Sequence, residues 1–182
     1  MFKSSIIWLF AGTLVLSFNF HINNIHLIPD PLGWALIAYG LHSMAQHSKL
    51  FRTGRVLAAA LIFLSSIEWV FAAMHASPQL FLWLSPFGLV LGIAVEYCMI
   101  FGVGQLLARA QQTQLEAWCK PLFGCTVAVR ALGFAQMLMV LFVPFVWLLT
   151  IPTIVFGLVV RAMFLVFLYR AHRALERTGT QG

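Results

Sequence analysis

Four ionisable side chains stand inside long apolar runs of this sequence: Glu68, Glu96, Arg130 and Arg161. A charge inside a membrane span is costly and rare, so it marks either a functional site or a paired structural network. At the helical rise, Glu68 and Glu96 lie about 18–20 Å from the basic ends of their runs, and Arg130 and Arg161 roughly 13 Å. The offset is about one helical turn, which an arginine side chain can span. Spacing adds to this. Gly88, Gly92 and Glu96 recur every four residues, as do Thr153, Gly157 and Arg161, while Ser65, Glu68, Ala72 and His75 share one helix face.

Two chemistries fit the quartet. In one, Arg130 and Arg161 bind an anionic group, since a guanidinium fork donates two parallel hydrogen bonds to phosphate or carboxylate. Glu68 and Glu96 then act as counter-charges or proton carriers. In the other, the four charges neutralise one another and only fix the order of the helices.

Six histidines form a second group, with His21, His26 and His75 towards one membrane face and His42, His47 and His172 towards the other. Paired imidazoles at two levels can hold haem. His26, His47 and His172 fall in connections or tails, however, which leaves too few buried pairs. The outer polar turn gathers Asn23, Asn24, His26 and Asp30, with His75 beside it. Imidazole and carboxylate suit a transition metal, but the spacing matches no recognised motif. No metal and no cofactor is assigned.

Cys98, Cys119 and Cys125 have no zinc-site spacing, and their placement at mid-span or near the cytoplasmic face argues against a disulfide. The sequence holds no Gly-rich phosphate loop, HExxH, GxSxG or paired-carboxylate motif. No catalytic residue is assigned, and the reading leans away from an enzyme.

The elements that must position these residues follow from composition. Of 182 residues 62% are hydrophobic and 9% charged, against about 45–50% and about 25% in soluble domains. A water-soluble globule, a disordered chain, a collagen-like chain and a disulfide scaffold are all excluded. A span needs roughly 20 apolar residues, and six such runs are expected, at about 5–21, 31–47, 56–75, 86–108, 122–144 and 150–170. The predicted fold is an all-α integral membrane protein, one transmembrane domain over residues 1–182, built as three helical hairpins.

Lys and Arg near helix ends stay cytoplasmic. Lys3, Lys49, Arg52, Arg55, Arg109, Lys120, Arg170, Arg173 and Arg177 all fall on one side of this arrangement, and no Lys or Arg falls on the other. Both termini are therefore expected in the cytoplasm, with the first run an uncleaved helix. The formal charge of +6 is then a membrane-surface feature that favours anionic lipid headgroups. Nothing points to nucleic acid.

Pro31, Pro86 and Pro152 are expected at the starts of the second, fourth and sixth helices, where a missing amide costs nothing. Pro31-Leu32-Gly33 against Pro86-Phe87-Gly88 reads either as a tandem-hairpin repeat, as in many transporters, or as the ordinary use of Pro and Gly at helix starts. Asp30 is placed to cap the second helix, and Gly33 and Gly40 share a face that permits close approach.

Ile22-Asn23, Pro29-Asp30, Gly33-Trp34, Leu36-Ile37 and Gly40-Leu41 together resemble a signature of uncharacterised bacterial multi-pass membrane proteins, with an Asn, then Pro-Asp, then Gly and an aromatic at the start of the second helix. The resemblance covers residues 22–41 and implies a bacterial inner membrane. It carries over no functional residue.

The expectation is a small inner-membrane protein that binds or transports an anionic or amphipathic substrate, a lipid among the candidates, at Arg130, Arg161, Glu68 and Glu96. A non-catalytic assembly subunit of a membrane complex is the alternative, and a His-ligated haem protein the third. A narrow six-helix interior also suits a homodimer.

Overall fold

The computed structural model describes residues 2–17, 21–22, 25–26, 30–74, 78–139 and 147–179. The elements in chain order are α1 (Phe2–Ser17), β1 (His21–Ile22), β2 (Ile25–His26), α2 (Asp30–Met44), α3 (Lys49–Ala73), α4 (Pro78–Arg109), α5 (Thr113–Glu116), α6 (Cys119–Met139) and α7 (Trp147–Gly179). The all-α class holds. The one sheet among the described residues is a two-residue antiparallel ladder pairing His21 with His26 and Ile22 with Ile25.

Among the described residues three helices are long and apolar enough to cross a membrane, over Lys49–Phe71, Leu84–Arg109 and Leu149–Glu176. Ser5–Ser17 is a shorter apolar helix. Large apolar side chains point outward, Phe63 at 70% and Ile151 at 71% exposure, and a surface of that kind needs hydrocarbon as its solvent.

The long helices form a closed ring. Each packs on the next, α1 on α2, α2 on α3, α3 on α4, α4 on α6 and α6 on α7, and α7 returns to α1. Ile6, Leu9, Ile37, Leu41, Phe51, Met99, Leu107, Phe167 and Leu168 are buried in its core. The glycine face of α2 turns to α1 as its spacing predicts. A Cβ on Gly40 would sit 2.9 Å from the Ser5 carbonyl oxygen, and one on Gly12 would sit 2.8 Å from that of Gly33. Backbones this close exclude any side chain between them.

Several boundaries differ from the sequence reading. α1 ends at Ser17 instead of residue 21, because His21 and Ile22 give their backbone to the short ladder. α3 starts at Lys49 instead of residue 56: Ser48 Oγ accepts the Leu50 amide at 3.1 Å, an N-cap that lets the helix begin among basic residues whose stems reach along apolar surface. Pro31 lies in the first turn of α2 as expected, but Pro86 and Pro152 lie inside α4 and α7. A proline removes one backbone bond, whereas ending the helix there would strip several, which hydrocarbon cannot replace. α4 begins instead at Pro78. The two Pro-x-Gly triplets thus occupy different turns of their helices, which weakens the repeat.

α4 ends in a Schellman turn. Gln111 takes φ 57°, its amide bonds to the Ala108 carbonyl at 3.0 Å and that of Gln112 to Leu107 at 2.9 Å, which satisfies the last carbonyls before α5.

Candidate polar site within the helix ring

The four charges singled out by the sequence sit on four different helices, Glu68 on α3, Glu96 on α4, Arg130 on α6 and Arg161 on α7. They do not form two matched pairs. Arg130 donates from Nε to Glu96 Oε2 at 2.9 Å and from Nη2 to Glu96 Oε1 at 2.6 Å. Arg161 Nη1 reaches the same Oε1 at 3.1 Å. Both cations therefore converge on one buried carboxylate, 4% exposed, joining α4, α6 and α7.

Helix spacing explains the meeting. The Thr153, Gly157, Arg161 stripe of α7 faces α6 at its first two positions and reaches α4 at the third. Thr153 Oγ1 accepts from Gln136 Nε2 at 2.7 Å, a Cβ on Gly157 would lie 3.4 Å from Val129 Cγ1, and Arg161 closes on Glu96. On α4, a Cβ at Gly92 would come within 3.0 Å of Arg130 Nη1, so the guanidinium lies against bare backbone. A cavity of about 30 Å³ adjoins the trio, lined by Glu96, Thr126, Arg130, Gly157 and Arg161 among others. That is room for about one water.

Glu68 stands apart from this trio and makes no ion pair among the described residues. Its Oε1 lies 4.0 Å from where a Gly88 Cβ would be, one turn along α4 from Gly92. It lines a larger cavity of about 430 Å³, whose walls are Asp30, Trp34, Leu61, Leu64, Ser65, Glu68, Trp69, Ser85, Gly88 and Arg130. Arg130 is common to both cavities. The lining thus takes a carboxylate and an indole each from α2 and α3, and its guanidinium from α6.

Of the outer polar turn, Asp30 reaches this cavity. Asn23, Asn24 and His75 lie outside the described residues, and His26 is described through its backbone pairing with His21. On the other side of the ring, Arg55 Nη1 lies 2.7 Å from His42 Nδ1, so that nitrogen accepts, and His172 Nε2 lies 3.6 Å from Glu176 Oε1. Among the described residues no three His, Cys, Asp or Glu side chains gather as metal ligands. Trp69 and Ser85 escaped the sequence reading as site residues. Each adjoins a marked position, Glu68 and Pro86, and that adjacency is the signal that could have found them.

Comparison with protein-family models, with curated proteins and with solved structures gives no match to this chain.

Proposed function

We propose that the chain is a six-span protein of a bacterial inner membrane, with both termini cytoplasmic, that binds and moves an anionic or amphipathic molecule, lipids included, through the cavity between Asp30 and Arg130. The observation that carries this reading is the cavity itself. A cleft of about 430 Å³ with convergent charged groups and aromatic walls has the size and lining of a small-molecule site. Glu96 holds the Arg130 fork in place, so the cation at the cavity's end is preorganised. At the end of α7, Arg170 stacks over Trp118 at 5.4 Å and Arg173 over Tyr169 at 5.3 Å. Aromatic and basic pairs of this kind suit a cytoplasmic headgroup layer.

Native mass spectrometry of protein released from its own membranes tests the reading. Wild type is expected to carry a bound small molecule or lipid that Arg130→Lys and Glu68→Gln lose. Protein that carries nothing, or that keeps the molecule in both variants, contradicts it.

One observation favours the assembly-subunit reading. The Arg130–Glu96–Arg161 trio clamps three helices and leaves space for about one water, as a purely structural network does. A stoichiometric protein partner in a pull-down from gently solubilised membranes would support that second reading.

A further inference from the structure

The cavity is lined by opposite charges, and their placement narrows the ligand. Glu68 Oε1 lies beside Gly88 and the Arg130 guanidinium beside Gly92, roughly 6 Å apart along α4 at the helical rise. No ion pair joins the two side chains among the described residues, although both line the same space. Arg130 does not stand alone. It shares Glu96 with Arg161, and two guanidiniums on one carboxylate leave a net positive charge at that end. Glu68, which lines the cavity together with Trp34 and Trp69, makes the other end negative.

A purely anionic molecule filling this cavity sets its charge against Glu68, and a purely cationic one faces Arg130. In a low-dielectric interior either mismatch is expensive. A molecule that carries an ammonium a few Å from a phosphate or carboxylate satisfies both ends. Indole faces favour the ammonium further, and Leu61 and Leu64 offer apolar wall for hydrocarbon.

We propose that the cavity between Glu68 and Arg130 recognises a zwitterionic group, its ammonium held by Glu68 and its phosphate or carboxylate held by Arg130. This rests on the reading of the cavity as a ligand site and names the ligand's class. A phospholipid headgroup and a water-soluble zwitterion share this chemistry.

The test is a titration of detergent-solubilised protein with short-chain phosphatidylethanolamine, with phosphatidylglycerol of the same chain length, and with an alkylamine, followed by native mass spectrometry. Phosphatidylethanolamine is expected to bind about tenfold or more tighter than either other probe, since a charged hydrogen bond is at stake at each end. In Glu68→Gln, shown folded by an unchanged circular dichroism spectrum and unfolding temperature, the preference over phosphatidylglycerol is expected to vanish. Soluble phosphoethanolamine that displaces the lipid assigns a water-soluble ligand, and failure to displace it assigns the lipid itself. Equal or tighter binding of phosphatidylglycerol to wild type overturns the zwitterion and leaves an anion site standing. Equal or tighter binding of the alkylamine overturns the role of Arg130. Binding of none of the probes overturns the zwitterion, and if native membranes also yield no bound molecule the ligand-site reading falls with it.

Discussion

Arg130 grips Glu96 through two hydrogen bonds, Nε to Oε2 at 2.9 Å and Nη2 to Oε1 at 2.6 Å, and so locks α6 to α4. Arg161 adds a single contact of 3.1 Å to the oxygen that Arg130 already uses. The buried carboxylate is therefore the hub and the arginines its spokes. Removing a hub strands two cations, whereas removing one spoke leaves the other in place.

Glu96→Gln is expected to cost about 3–5 kcal/mol, the penalty for uncompensated buried charge. Arg161→Gln should cost clearly less, because Arg130 still neutralises Glu96. Unfolding midpoints in detergent check the order, and a Glu96→Gln protein as stable as wild type would contradict the hub.

Gly12 has no room for a side chain, since its Cβ position lies 2.7 Å from Ile37 Cγ1 and 2.8 Å from the Gly33 carbonyl oxygen. One of these neighbours is backbone and cannot swing away. Gly12→Ala should destabilise by about 1–3 kcal/mol, the usual cost of overpacking, whereas Gly124→Ala, with open space around it, should be tolerated. Paired thermal unfolding of the two variants decides this.

Cys119 Sγ lies 3.6 Å from the Ile100 carbonyl oxygen. Burial, helped by the negative charge of Glu116, pushes its thiol from an ordinary 9.0 up to about 11. A neutral acid whose folded value is raised contributes fully below its unfolded value and loses that contribution as pH climbs through the folded one. Stability should therefore fall between pH 9 and about 11, and Cys119→Ala should flatten that part of the profile. At pH 7.5 the thiol should resist maleimide, since the thiolate is the nucleophile.

That Glu96, Arg130 and Arg161 could meet was legible in the sequence, because helical rise sets how far along its run each one lies. The pairing itself was not. Depth says nothing about which helices are neighbours, and the ring sets α4 beside α6 while Glu68 stands on α3, next to α2 and α4. The stripes Thr153–Gly157–Arg161 and Gly88–Gly92–Glu96 were legible for the same reason that they work, a four-residue repeat on one helix face. The prolines misled. Pro86 and Pro152 look like helix starts, yet apolar residues on both sides keep the backbone helical through them. The cavity was half visible: Glu68, Ser65 and Arg130 stood out by type, while Trp69 and Ser85 join it only through the packing of α3 on α4.

The orientation has its own test. A periplasm-active reporter inserted between residues 76 and 77 should be active, and the same reporter fused after Gly182 inactive. The reverse pattern would invert the protein in the membrane, against its distribution of Lys and Arg.

The division of the four charges into a clamp and a ligand site is tested most directly by measuring unfolding temperature and bound ligand together in Arg161→Gln and Glu68→Gln. Arg161→Gln is expected to lower the unfolding temperature yet keep its bound molecule. Glu68→Gln is expected to keep the temperature and lose the molecule. A Glu68→Gln protein that unfolds early, or one that retains its ligand at wild-type occupancy, would contradict the division.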